Sequence, residues 1–198
     1  MRILLLLTAL ALVSGCTRGQ VDTPPADGSK DNVKNTDGLN AKDDFEDQLA
    51  ALKPVDPVPA AKLAALLPKG PDGYTEEEPR TQDIEIDTFK YSLAERTYRK
   101  GDKTLEVKIQ DAAHVRQLYE SVVAGAKIKL KTNEMHHQPV NVDANPGFEQ
   151  YTMANQRGEL MVIVAKRHIV HIVAEGAPAD FVLTVYKSID RKALATLK

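Results

Sequence analysis

The residues that could ligate a metal or move a proton are few. The chain has five histidines and a single cysteine. His136 and His137 follow Glu134, and His168 stands three residues before His171. On a strand, adjacent side chains face opposite ways, and so do side chains three apart. Neither pair can therefore meet one ion inside a regular strand, and a site would need two elements to converge, as His137 with His171. No HExxH spacing occurs, and one cysteine cannot build a cysteine-based zinc site. Nucleophiles are equally poorly placed: Ser29, Ser92, Ser121 and Ser188 all lie outside a Gly-x-Ser-x-Gly elbow. Gly70-Pro71-Asp72-Gly73 lacks the Lys-Ser/Thr of a phosphate loop. The acidic runs Glu76-Glu77-Glu78 and Asp43-Asp44 read as solvated surface. The expectation is a protein that is not an enzyme and uses neither metal nor cofactor.

Two other features carry chemistry. Lys127, Lys129 and Lys131 alternate with Ile128 and Leu130, which on a short strand puts the three ammonium groups on one face. Together with Arg96, Arg99, Lys100 and Lys103 of a preceding hairpin they form a candidate basic patch for anionic lipid or an acidic partner. Lysines guarding an edge strand are the competing reading. The second feature is Cys16. It closes a leader with Arg2, an apolar run from Ile3 to Val13 broken only by Thr8, and the small residues Ser14 and Gly15. This is the order of a secretory signal. Eleven residues make about 16 Å of helix against a hydrocarbon core of roughly 30 Å, too short to span.

Val13-Ser14-Gly15-Cys16 resembles the lipobox of bacterial lipoproteins. The resemblance implies that residues 1–15 are a signal peptide, that the Cys16 thiol receives a diacylglyceryl group, and that cleavage exposes an amine that can be acylated too. Acyl chains contribute about 0.8 kcal/mol per buried methylene, so two or more anchor stably. Thr17, where an inner-membrane protein would carry Asp, implies an outer-membrane lipoprotein facing the periplasm. The membrane is thus one expected partner, through the acyl chains.

Charge narrows the remaining partners. Lys and Arg number 26 against 28 Asp and Glu, a net charge of −2, so nucleic acid is not expected. Between Thr17 and Val58 nine acidic residues face five basic ones, and Pro, Gly, Asp and Asn replace apolar periodicity. Residues 16–58 read as the lipidated end and a disordered tether. Within it Phe45, Leu49 and Leu52 recur at helical spacing, with Asp43 and Asp44 before them, Lys53 at the end and Pro54, Pro57 and Pro59 beyond. That is a short marginal helix, either a turn in the linker or a recruitment peptide.

Residues 59–198 read as one globular domain. A helix over Pro59–Leu67 ends at Pro68-Lys69-Gly70. Ile84–Ile86 alternates, and Phe89–Gln110 is a hairpin around Lys100-Gly101-Asp102. Val115, Leu118, Tyr119 and Val122 fall on one side of a helix over Asp111–Ala124, with Asp111 as its N-cap. Strands follow at Lys127–Lys131, Gln138–Asp143, Gly147–Ala154, Glu159–Ala165 and His168–Ala174, and the continuous run Leu160–Val164 predicts a strand buried on both faces. Pro178 opens a last helical stretch. The class is α+β, a mainly antiparallel sheet of about six strands flanked by helices. In element order the domain is similar to the PsbP-like sandwich. The function expected is a protein-interaction or assembly domain with an envelope protein partner. The alternative is a small-ligand carrier or sensor, which needs an apolar pocket of roughly 300 Å³ or more between sheet and helix.

Overall fold

Alternation in the sequence becomes alternation in burial. In Leu105-Glu106-Val107-Lys108-Ile109 the three apolar side chains are buried and the two charged ones are not. The computed structural model describes residues 45–87 and 89–198, which belong to one compact unit. Residues 45–50 form the first described helix, α1. Then come α2 (Ala60–Ala64), β1 (Thr75–Glu76), β2 (Arg80–Ile86), β3 (Phe89–Lys100), β4 (Lys103–Asp111) and α3 (Arg116–Gly125). The second half holds β5 (Leu130–Lys131), β6 (Met135–Val142), β7 (Asn145–Thr152), β8 (Arg157–Val164), β9 (His168–Glu175), α4 (Phe181–Ser188) and α5 (Arg191–Thr196).

The class is α+β, with antiparallel pairing throughout the sheet. Among the described residues the sheet has nine strands rather than about six, in the order β1-β3-β4-β9-β8-β7-β6-β5, and β2 also pairs with β3. β1 and β2 share one edge of β3, but their registers differ by one residue: Glu76 opposes Tyr98 and Arg80 opposes Glu95. The extra residue is absorbed at 77–79, where Pro79 sits on the sheet edge, the place a strand tolerates proline. This edge lacks a buried apolar row; Ile86 is 66% exposed. That is why sequence pattern undercounts the strands there. A two-residue turn, Asp143-Ala144, joins β6 to β7 with both residues at positive φ, as the right-handed strand twist favours, and the three-residue β8–β9 connection holds Ala165 and Lys166 at positive φ as well.

Opposite faces of the sheet carry separate cores. On one, Leu105, Val107, Ile109, Val162, Val170 and Ile172 pack with α2, α4 and α5 through Leu63, Val182, Tyr186 and Leu194. On the other, Ile163 and Ile169 pack with Tyr119 and Val122 of α3 and Leu49 of α1. β8 is therefore covered on both sides, as its unbroken apolar run predicts. Gly147 permits the close approach of β7 to β8: a Cβ there would overlap the Met161 carbonyl oxygen.

Several boundaries differ from the sequence reading. The folded domain begins before residue 59, because Leu49 and Val58 are buried and Phe45 and Leu52 pack against the core. Pro54, Pro57 and Pro59 remove three backbone donors, and two of the donors left, Val55 and Val58, bond to the Ala113 carbonyl (3.0 Å) and the Asp111 carboxylate (2.8 Å). An extended proline-rich strap is thus tied down instead of hanging free. The helix at 45–50 spends its apolar side on its own domain, so it is not a free recruitment peptide. Asp111 does not cap α3; it ends β4, and α3 starts after Val115 with no side-chain cap. Pro178 stands before α4 rather than inside it, and Asp190 caps α5 by accepting from the Ala193 N–H at 2.9 Å. The residues expected to form a signal peptide, and those expected to form the tether up to residue 44, lie outside the described residues.

Candidate functional site

The seven basic residues do not gather into one patch. Arg96, Arg99 and Lys100 lie on β3 and Lys103 opens β4, whereas Lys131 lies on β5, and β4, β9, β8, β7 and β6 separate β3 from β5 in the sheet order. The first group is also largely committed. Arg96 pairs with Glu76 (2.8 Å), Arg99 with Glu77 (2.6 Å), and the Lys100 ammonium donates to the Asp72 carbonyl (3.0 Å). Lys127 pairs with Glu46 at 2.5 Å. Lys129 and Lys131 are exposed and form no ion pair among the described residues. The alternation at 127–131 buries neither side: only Leu130–Lys131 pair as strand, and Ile128 and Leu130 are 50% and 41% exposed. Cys16 lies outside the described residues.

The histidines are more deeply placed than loop residues would be. His137 is buried, stacks on Phe148 (4.8 Å between ring centres) and donates through Nε2 to the Gly125 carbonyl at 2.8 Å. His171 donates through Nε2 to Glu159 at 2.9 Å, and Arg157 reaches the other Glu159 oxygen at 2.7 Å. The His171 bond, aided by Arg157 against the effect of burial, pulls the Glu159 carboxyl down to about 2. His137 and His171 do not converge, and among the described residues no three His, Cys, Asp or Glu side chains could hold one ion.

Register assembles a polar row that the sequence hides. Ser92 opposes Asp111, and Asp111 opposes His168; all three are fully buried. These are the residue types of a nucleophile, an acid and a base, but their bonds point elsewhere. Ser92 donates its hydroxyl to the Val58 carbonyl at 2.6 Å. The Asp111 carboxylate accepts from Val58 N–H, Ala113 N–H, and Nε and Nη2 of Arg167. Burial pushes this carboxyl up, and those bonds outweigh it and leave it shifted down. Among the described residues neither ring nitrogen of His168 has a hydrogen-bond partner, and desolvation lowers its pKa to about 4. A serine that donates to a backbone carbonyl, under a lid made by the strap, is a structural clamp.

What the fold does open is a pocket between helix and sheet. Packing α1 and α3 side by side over β6, β7 and β8 leaves a cavity of about 440 Å³. Its walls are Phe45 from α1, Val122 and Val123 from α3, Pro139 and Val140 from β6, and Ile163 from β8. Among the described residues, polar side chains in the lining come only from Glu46, Lys127 and Asn141, and the first two are bonded to each other. A second hollow of about 660 Å³ lies beside α5 and is lined by charged residues. Its Arg191 is already bound to Asp143 at 2.8 Å and to the Lys187 carbonyl that ends α4 at 2.8 Å.

The alternative carrier reading needs a pocket between sheet and helix, and of the residues lining this one only Lys127 was singled out from the sequence as a site residue, as part of the basic patch. Phe45 and Ile163 are 118 positions apart, and only the docking of α1 makes them neighbours. Compared with known protein families, curated proteins and solved structures, the chain matches none.

Proposed function

We propose that this protein is an outer-membrane lipoprotein, anchored through Cys16, whose folded domain carries or senses a small apolar ligand. One observation carries the ligand reading. The cavity of about 440 Å³ between α1, α3 and the sheet is mostly apolar, with the paired Glu46 and Lys127 in its wall, which is the composition of a small-molecule site. The lipobox-like Val13–Cys16 supports the anchor. The saturated bonds of Asp111 and Ser92 support a binding role over catalysis.

The test is native mass spectrometry of the protein isolated from its own membranes. The expected result is a bound small molecule that disappears when Val123→Trp fills the cavity. A protein that always arrives without one, with Val123→Trp making no difference, overturns the reading. Labelled palmitate incorporation, lost in Cys16→Ala, tests the anchor separately. A second reading, a domain that docks on an envelope protein, is favoured by the exposed Ile128 and Leu130 beside the short edge strand β5. It predicts an in-cell crosslink through residues 127–131 to one dominant partner, lost in Ile128→Asp.

A further inference from the structure

We infer that the α1–α3 pocket takes a short extended oligopeptide from outside this chain. One residue of it pairs with the main chain of Asn141 as an added strand, and that residue's uncharged, apolar side chain fills the cavity. The inference rests on the reading above that this pocket holds a ligand, and it names the class of ligand.

Register shows which main-chain groups of β6 are spare. Opposite residues of an antiparallel pair alternate between exchanging two hydrogen bonds and exchanging none. Pro139 and Pro146, which have no N–H to exchange, stand opposite Phe148 and Asn141, so these are pairs of the second kind. The main-chain groups of Pro139 and Asn141 therefore point away from β7. Those of Met135 do the same: its carbonyl accepts from the Thr132 N–H at 2.8 Å, and its N–H donates to the Thr132 hydroxyl at 3.0 Å. On this side β5 covers β6 only at His136 and His137, because residues 126–128 still bond back to the last turn of α3. Beyond β5, the Pro139 carbonyl and both main-chain groups of Asn141 have no partner among the described residues.

These spare groups border the cavity. Pro139, Val140 and Asn141 all line it, although neighbours on a strand face opposite ways. Val140 packs its side chain into the core of α2, α4 and α5, so it meets the cavity with its main chain, and the cavity reaches the strand edge. A residue set opposite Asn141 on an antiparallel strand in line with β5 exchanges two hydrogen bonds with it. Its side chain falls on the same face as that of Asn141. That is the α3 face, since His137, an even number of residues away, reaches the Gly125 carbonyl at 2.8 Å. There Phe45, Val122, Val123 and Ile163 wall the cavity. Main-chain bonds then supply affinity, and the pocket selects the side chain.

Size and chemistry agree with this. At roughly 30 Å³ per non-hydrogen atom, the share a water molecule takes in the liquid, a cavity of about 440 Å³ houses about fifteen such atoms. That is one large side chain with its flanking peptide units. Glu46 and Lys127 pair with each other, so the described lining leaves no unpaired charge for a charged ligand. A plain hydrocarbon would cover the Asn141 groups without bonding them, whereas a peptide satisfies both.

The experiment is an NMR titration of the isotope-labelled full chain carrying Cys16→Ala, so that no acyl group of its own competes. The probes are acetyl-Ala-Phe-Ala-amide and, separately, decanol. The Asn141 backbone N–H should exchange freely without peptide and shift when peptide is added. Methylating the Phe nitrogen of the probe removes the N–H that the Asn141 carbonyl accepts, and should weaken binding about fivefold or more. Asn141→Pro should do the same and leave decanol unchanged, at an edge position that tolerates proline as Pro139 does. Val123→Trp should abolish binding. Circular dichroism and melting temperature check the folding of each variant, and the methylated probe tests the pairing with no variant at all. If plain and methylated peptides bind alike, or if decanol alone binds, the peptide is wrong and the carrier reading survives. An Asn141 N–H already protected without peptide shows the edge filled by the chain itself and overturns the inference too. If neither probe binds and nothing copurifies with the folded chain, both readings fall.

Discussion

Arg167 grips Asp111 with two parallel hydrogen bonds, Nε to Oδ1 at 2.9 Å and Nη2 to Oδ2 at 2.8 Å. The same guanidinium donates to the Asp56 carbonyl at 3.1 Å, and the same carboxylate accepts from Val58 N–H at 2.8 Å. One buried ion pair thus joins the end of β4, the turn before β9 and the strap between α1 and α2. Asp111→Asn keeps the shape but turns two acceptor lone pairs into donors facing donors. The expected loss is about 3–5 kcal/mol, the cost of breaking a buried pair from one side. Arg167→Met should cost less, because the carboxylate keeps its two backbone partners. Urea unfolding of both variants checks this; an Asp111→Asn midpoint like that of the parent would remove the clamp from the account.

Helix α1, which the strap follows, gives the second prediction. Leu49 is 6% exposed and sits among Tyr119, Val122 and Ile163. Leu49→Ala should loosen α1 by about 2–4 kcal/mol, the usual cost of such a truncation. Hydrogen exchange at residues 45–52 should then speed up by one to three orders of magnitude, while β4, β8 and β9 keep their protection. A free tether would be indifferent to the substitution, so unchanged exchange at 45–52 would show that α1 is not docked.

Acid should destabilise the fold through His168. Its folded pKa of about 4 lies below the ordinary 6.5, first because burial disfavours the charged ring, with Arg167 and His114 adding to the shift and Asp111 opposing it. Between these values the unfolded chain binds a proton that the folded chain refuses. Stability is therefore complete above 6.5 and falls as the pH drops toward 4, by roughly 3 kcal/mol in all. Glu159, held at about 2 against an ordinary 4.5, adds a further loss only below about 4.5. His168→Phe should remove the upper part of this acid loss and leave the lower. A parent whose unfolding free energy is flat between pH 6.5 and 4.5 would contradict it.

Much of the scaffold was legible from the chain. The alternation of Leu105–Ile109, the two-sided run Leu160–Val164 and the stripe Val115, Leu118, Tyr119, Val122 each report burial through side-chain period alone. The edge strand β1 and the first half of β2 escaped, leaving only Ile84–Ile86 legible, because exposed strands need no apolar period. Asp111 before an apolar stripe satisfies every local condition for an N-cap. Its actual partner, Arg167, stands 56 positions away, and no local rule could weigh that bond against a cap. The lysines at 127–131 looked like a strand face because period 2 was present, but pairing stops after two residues.

Composition and local pattern by themselves determined the α+β class and the antiparallel sheet, because these depend on residues near one another in the chain. Register and docking decided the rest. Pairing β3 with β4 and β4 with β9 put Ser92, Asp111 and His168 in one row, and the seating of α1 against α3 made a pocket from Phe45, Val123 and Ile163. Such sites are sums of contacts between segments that share no local signal. Their energy is set by which faces meet, and that is fixed only when the whole chain buries its apolar surface at once.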